Sequence, residues 1–269
     1  MGFSVLISVY CKEHPDYLKV ALDSIWNGQT LQPTEIVLVK DGLLTSELNE
    51  VIDQFRLIAP LKVCPLEKNY GLGYALGIGL NHCTHELVAR MDSDDISCPQ
   101  RFETQIKIME EHPEFDILGT NIAEFENFTD QICSYRRLPS NFLEIKEFAR
   151  KRNPLNHQTV IFRKSAVLYA GNYKPFFGYE DYYLWIRMLN NGSIISNVKE
   201  NLVFVRIGKN MFARRHGILF FKQELKLQKE LLNMDFLNNW EYLRNIFLRA
   251  FPRLFPFWGL KLVYKFLHK

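Results

Sequence analysis

The chain has 269 residues, of which 47% are hydrophobic and 23% charged, with a net charge of only +3 at neutral pH. That length suits one large α/β domain, or a domain with an appendage, and buries a full core without disulfides. The near-balanced charge argues against a nucleic-acid binder, and no stretch is long and apolar enough to cross a bilayer.

Phe3–Val9 reads as a buried strand, too short and without the basic flank of a signal peptide. Gly2 does not begin a myristoylation motif, because Leu6 stands where Ser or Thr is required. Tyr17–Trp26 carries a helical stripe, and Glu35–Val39 is a second strand ending at Asp41-Gly42. Glu47–Ile58 is helical, Leu61–Leu66 a third strand, Leu72–Leu80 a third helix, and Glu86–Met91 a fourth strand ending at Asp92. This alternation predicts a mostly parallel, doubly wound sheet, in which ligands sit beyond the carboxyl ends of the strands. Tyr10, Asp41, Asn69 and Asp92 each follow one of those strand ends.

The second half is less regular. Arg101–Glu111 reads as a helix, Asp116–Phe125 and Ile132–Leu138 as strands, Thr159–Arg163 as a short strand, Gly178–Asn191 as a helix, and Ser193–Val205 as a strand region. From Phe212 onward the pattern is helical, which places a boundary near Asn210 between a catalytic unit, 1–210, and a C-terminal segment, 211–269. The five cysteines, Cys11, Cys64, Cys83, Cys98 and Cys133, show no CxxC or Cys/His ligand spacing and read as reduced thiols of a cytoplasmic protein.

Arg90-Met91-Asp92-Ser93-Asp94-Asp95 is the most informative stretch. Alternate carboxylates at a strand end can converge on a hard cation, Mg²⁺ or Mn²⁺, whose shell phosphate oxygens and water complete. The competing reading makes Asp94 or Asp95 a turn or capping residue before a helix starting near Ser97. A dinucleotide fingerprint at Gly71, Gly73 and Gly77 fails on its last spacing and follows the third strand instead of the first.

Ile7-Ser8-Val9-Tyr10, Val39-Lys40-Asp41-Gly42, Asn69-Tyr70-Gly71-Leu72-Gly73, the Asp92-Ser93-Asp94-Asp95 cluster and Tyr179-Glu180-Asp181 occur in that order. The set resembles glycosyltransferase family 2, the inverting enzymes of the GT-A fold, and especially the bacterial members that build capsule, O-antigen and other exopolysaccharides. The resemblance covers residues 3 to 210. It implies transfer of a sugar from a UDP-sugar to an acceptor hydroxyl, with Mn²⁺ or Mg²⁺ as cofactor. Ser8, Val9 and Tyr10 would line the base pocket with Glu13 just beyond, and Asp41 would accept a hydrogen bond from uracil. Asn69, Gly71, Leu72 and Gly73 would approach the donor. Asp92 would face the ribose with Ser93 beside it and share the metal with Asp94, while Arg90 is either a donor contact or a partner of the carboxylates.

The resemblance makes Asp181 the general base and Glu180 its orienting neighbour; as first-turn residues, both also fit simple stabilisation by the helix dipole. Arg206, Arg214 and Arg215 are candidates to neutralise the leaving diphosphate, or plain surface charges. His157 lines the acceptor or pyrophosphate site or is a structural histidine, and Trp185 belongs to the acceptor wall or the core. Residues from Trp240 to Lys269 are aromatic and basic, with Arg244, Arg249, Arg253, Lys261, Lys265 and Lys269 against the single acid Glu241. That composition fits either the anionic inner face of the cell membrane, with a lipid-linked glycan as acceptor, or a helical cap or homodimer contact. A nucleotidyltransferase making nucleotide sugars would need a glycine-rich loop after the first strand, which Tyr10-Cys11-Lys12-Glu13-His14 lacks. A non-catalytic nucleotide- or glycan-binding module would not need Asp94 and Asp181 intact.

Overall fold

The structure is a computed structural model that describes residues 2–208 and 216–254. Strands β1 (Phe3–Val9), β2 (Glu35–Lys40), β3 (Leu61–Pro65) and β4 (Leu87–Met91) form a parallel unit in the order β3-β2-β1-β4. Beyond β4 the sheet turns mixed. Strands β8 (Ile161–Arg163), β6 (Ile117–Phe125), β9 (Ile195–Arg206) and the two-residue β5 (Ile96–Ser97) continue it, and β7 (Ile132–Arg136) pairs with β6. β8 runs antiparallel to both β4 and β6, whereas β6 and β9 are parallel.

Both faces of the parallel unit are covered, which is why its strands read as nearly continuous apolar runs. On β1, Leu6 points into one core layer with Val37, Val39 and Val88, while Val5, Ile7 and Val9 point into the other. The first layer is completed by α3 (Leu72–His82) and α7 (Glu180–Asn190), the second by α1 (Pro15–Ser24), α2 (Ser46–Arg56) and α4 (Arg101–Glu111). Local chemistry sets the helix starts. Pro opens α1 behind His14, and the Thr45 hydroxyl accepts the Leu48 N–H at 3.3 Å to cap α2.

Two glycines shape the strand ends. Gly42 has φ +89°, and a Cβ there would lie 2.6 Å from the Asn69 nitrogen. Gly73 would place a Cβ 2.7 Å from the Lys174 carbonyl oxygen and 3.0 Å from Glu180 Cβ. The first lets the β2 and β3 loops close on each other; the second lets α3 sit against the loop leading into α7.

The helix starts at Arg101, as its apolar spacing indicated, and not near Ser97 as the capping reading of Asp94 or Asp95 required, because Ile96 and Ser97 pair antiparallel with Phe204 and Val203 of β9. Two helices, α5 (Phe142–Ala149) and α6 (Lys164–Tyr169), were not legible; both are too short to show a sustained period. Asn141 does accept the Leu143 N–H at 2.9 Å as the cap of α5.

The C-terminal helices are α8 (Ile218–Asn233), α9 (Asn239–Asn245) and a π-helical continuation over Ile246–Ala250. Leu227 and Leu231 of α8 lie in the same core layer as Trp185 and Leu184, so α8 docks onto the sheet-bearing unit without a separate core. The expected boundary near Asn210 falls outside the described residues, as do Lys261, Lys265 and Lys269. Arg249 and Arg253 turn inward onto the buried Glu224, and Arg244 bonds Asn245 Oδ1 at 3.0 Å. Those three arginines therefore do not form the outward basic face that the composition suggested.

Candidate active site

The chain ends of β1, β2, β3 and β4 come together at one edge, as the strand order requires. Asp92, Asp94 and Asp95 each bring a carboxylate oxygen within 4.8 Å of the others. Two buried guanidinium groups lie under this turn. Arg90 is fully buried and hydrogen-bonds Asp92 and the Met91 carbonyl. Arg101, also fully buried, donates to the Arg90 carbonyl at 2.6 Å and to Gln105 at 3.1 Å. Arg90 is thus the supporting partner of Asp92; complete burial removes it from direct contact with a donor.

The carboxylates remain under-neutralised. Burial, then the charges of Asp92 and Glu13, push Asp94 up to about 7. Burial, then the charges of Asp92 and Asp94, also push Asp95 well above the usual carboxylate range, and its Oδ1 accepts the Arg206 backbone N–H at 2.9 Å. Asp95 therefore fastens β9 beneath the cluster, while Asp92 and Asp94 keep partial exposure. Like charges this close, with oxygen donors only, fit a hard divalent cation. Glu13 accepts the Ser93 hydroxyl at 2.5 Å, which closes the β1 loop over the cluster. Arg206 lies between two rings, 3.9 Å from the Tyr17 centroid and 4.6 Å from that of Phe125, and its Nε donates to the Asp94 carbonyl at 3.3 Å. Arg214 and Arg215 lie outside the described residues.

The β2 end differs from the simple expectation. Asp41 is buried, and its two oxygens accept the Tyr70 N–H at 2.7 Å and the Gly71 N–H at 3.0 Å. It thereby locks the Asn69–Gly73 loop onto the sheet, a job a uracil contact would have to share. Tyr10, Asn69 and Tyr70 are exposed at this edge, and Ser8 and Leu72 are partly so. The Val9 side chain does not line the edge: it is in the core, and its carbonyl accepts the Asp41 N–H at 2.8 Å.

The second pair of carboxylates is at the start of α7. Asp181 Oδ1 accepts the Tyr182 N–H at 2.7 Å, and Oδ2 accepts Asn153 Nδ2 at 2.6 Å. Burial and then the charge of Asp181 push Glu180 up to about 7. The Tyr173 hydroxyl is 3.1 Å from His157 Nε2, and besides its burial the charges of Arg90, Asp181, Asp92 and Glu180 all act on it, so this buried ring is within electrostatic reach of both carboxylate groups. Burial and the Arg90 charge hold His157 well below its usual range, so it serves as a neutral partner of Tyr173. Trp185 is fully buried, with its ring edge-on to His157 and Tyr173, and so belongs to the core and not to an acceptor wall.

Sequence reading missed Asn153, Tyr173 and Arg101. Asn153 lies four residues before His157, but nothing in a linear sequence pairs it with a carboxylate 28 positions away.

A glycosyl transferase family 2 model matches residues 4–171. The chain belongs to glycosyl transferase family 2. It is 43% identical, over the full length of both chains, to an uncharacterized glycosyltransferase of Haemophilus influenzae. It is 41% identical to the amylovoran biosynthesis glycosyltransferase AmsE of Erwinia amylovora, over 98% of each chain. It is 39% identical to the UDP-Gal:alpha-D-GlcNAc-diphosphoundecaprenol beta-1,3-galactosyltransferase of Escherichia coli, over 94% of this chain and 92% of that one. The fold matches S. aureus TarS 1–349 in complex with UDP-GlcNAc, with TM-score 0.70 and 21% identity, over 94% of this chain and 72% of TarS 1–349. A longer TarS chain is matched over 44% of its length. A mannosyltransferase from Pyrobaculum calidifontis, in complex with GDP-Man and Mn²⁺, matches with TM-score 0.67 and 14% identity, over 98% of this chain and 73% of that one. These likenesses give the GT-A glycosyltransferase fold.

Proposed function

We propose that this family 2 enzyme moves a hexosyl or N-acetylhexosaminyl group from a UDP-sugar onto a hydroxyl of a lipid-linked glycan, with inversion at the anomeric carbon. The observation that carries the reading is the under-neutralised carboxylate cluster, Asp92 with Asp94, together with a second carboxylate, Asp181, that shares the electrostatic surroundings of Tyr173 with it. The relatives acting in polysaccharide assembly, one of them named for a diphosphoundecaprenol-linked acceptor, support the acceptor class.

In this reading Asp94 and Asp92 hold Mn²⁺ or Mg²⁺, which when bound offsets the charge of the diphosphate. Tyr10, Asn69 and the Gly71–Gly73 turn bind the nucleotide at the strand ends. Arg206, fixed between Tyr17 and Phe125, adds positive charge next to the cluster. Asp181 takes the proton from the acceptor hydroxyl as its oxygen bonds to the anomeric carbon. The bond from that carbon to the phosphate oxygen breaks, its electron pair leaves with UDP, and attack from the opposite face inverts the centre. Glu180 and Asn153 keep Asp181 in place.

Turnover over a panel of UDP-sugars with a diphosphoundecaprenol-linked or short-lipid acceptor tests the proposal. Transfer that stops on chelation and returns with Mn²⁺ is expected. Nucleotide-sugar synthesis from a sugar phosphate and UTP, or nucleotide binding without transfer, would overturn it.

The lipid-linked acceptor gives a use to one exposed stripe. Trp240 (74% exposed), Leu243, Phe247 (71%), Phe251 and Leu254 follow one another at helical spacing on the C-terminal helices. Among the described residues no helix is long and apolar enough to cross a membrane. Contact with an anionic bilayer through this stripe predicts co-sedimentation with phosphatidylglycerol vesicles, lost in a Trp240→Ser/Phe247→Ser variant; a homodimer disrupted by the same changes would assign the stripe to a second copy.

A further inference from the structure

Glu224 lies on α8, outside the sheet edge that carries the reaction, yet it is a fully buried carboxylate with five polar contacts. It accepts the Tyr179 hydroxyl at 2.6 Å, Gln228 Nε2 at 2.9 Å, Arg249 Nε at 2.8 Å and Nη2 at 3.3 Å, and Arg253 Nη2 at 3.1 Å. Burial alone would raise its carboxyl, but the Arg249 and Arg253 charges outweigh burial and bring it down to about 2. The group is ionised and locked at any physiological pH.

What this network grips is the approach to the candidate base. Tyr179 immediately precedes Glu180 and Asp181 and is the residue from which α7 starts. One turn before Glu224 on the same face of α8, Phe220 covers Gly178, whose φ is +76° and where a Cβ would meet the ring at 2.9 Å. Arg253 stands 5.8 Å from the ring centroids of both Tyr179 and Phe220. The same C-terminal helices hold the other side of Asp181. Asn245 Nδ2 donates to the Arg150 carbonyl at 2.8 Å, and Arg249 also donates to the Lys151 carbonyl. Two residues on, Asn153 donates to Asp181. Both lines of support for one carboxylate therefore end in the C-terminal segment.

A buried ion cluster is a poor way to gain stability, since apolar residues of the same volume often serve as well or better. What charge-assisted, directional bonds supply is fixed geometry. We propose that Glu224, clamped by Arg249 and Arg253, is a positioning residue for transfer: through the Tyr179 hydroxyl it fixes the start of α7, and with it Asp181, so that the C-terminal helices complete the reaction centre. The inference rests on the reading of Asp181 as base.

The test uses the full chain, with kcat, donor KM and Tm measured for Tyr179→Phe, Glu224→Gln and the double variant. Because small misplacement of a reacting group costs rate and not ground-state affinity, kcat should fall about 10- to 100-fold in each, with donor KM within about twofold. The double variant should be no slower than Glu224→Gln, because the two groups act as one unit. Ile52→Val, in the opposite core layer, lowers the Tm while leaving kcat unchanged. Tyr179→Phe removes a single oxygen and keeps the ring, so it carries the test even where Glu224→Gln folds poorly. Wild-type kcat in Tyr179→Phe with only a lowered Tm would reduce the network to a helical cap and overturn the proposal. Asp181→Asn separates the two claims: if it is inactive while Tyr179→Phe is fully active, only the positioning role fails, whereas full activity of Asp181→Asn removes the base itself.

Discussion

Asp181→Asn is expected to lower kcat about 10²–10⁴-fold, the usual range for losing a positioned base, while donor affinity changes by less than about twofold. The substitution is isosteric. The asparagine carbonyl keeps one of the two bonds the carboxylate accepts, from the Tyr182 N–H at 2.7 Å or from Asn153 Nδ2 at 2.6 Å, and the loss of the other costs about 1 kcal/mol without unfolding α7. What disappears is a group able to receive the acceptor proton. The loss should therefore fall on the chemical step, visible in single turnover with saturating donor, and should not be recovered by more donor. Thermal unfolding of the variant should stay close to the wild type. Full turnover in Asp181→Asn would exclude it from the mechanism.

Asp94→Asn is expected to cost about 10²–10³-fold in kcat/KM, the several kcal/mol associated with charge stabilisation at a departing group. The variant should also raise the concentration of Mn²⁺ needed for half-maximal activity. The pH dependence follows from the metal-free carboxyl. Asp94 is pushed up to about 7 by burial and by its neighbours Asp92 and Glu13. Below pH 7 it carries a proton that must leave before its oxygen can ligate, so apparent metal affinity falls by up to about tenfold per unit as pH drops below 7, and flattens above it. In Asp94→Asn that proton is absent, and the dependence should flatten. Activity titrated with Mn²⁺ at several pH values reads both effects.

The parallel half of the fold was legible because both faces of β1, β2 and β4 are buried and these strands appear as nearly continuous apolar runs, followed by Tyr10, Asp41 and Asp92 at the same edge; the edge strand β3, with Lys62 exposed, is the weakest of the four. Arg101–Glu111 was read to its observed bounds for a similar reason, with apolar residues at helical spacing. The short elements were not legible. Ile96-Ser97 is a strand only because β9, some hundred residues later, offers Val203 and Phe204 as partners. The site divides along the same line. Asp94 and Asp181 announce themselves as carboxylates at a strand end and a helix start. Their supports are harder to read: Arg101 looks like an ordinary charge until burial places it under the cluster, Arg90 fits a donor contact as well as a partner of the carboxylates, and Trp185 fits wall or core until the sheet closes around it. Glu224 was hidden among the charged residues of an amphipathic helix, and its partners, Arg249 and Arg253, read as outward basic charges.

In the proposed mechanism the carboxylates at the β4 end hold the cation that binds the donor diphosphate, while Asp181 acts only on the acceptor. Calorimetric titration of UDP with saturating Mn²⁺ into wild type, Asp94→Asn and Asp181→Asn measures this directly. The prediction is that Asp181→Asn binds like the wild type and Asp94→Asn at least about tenfold more weakly, a loss of roughly 1.4 kcal/mol or more. Equal UDP affinity in Asp94→Asn and wild type, with and without Mn²⁺, would contradict it.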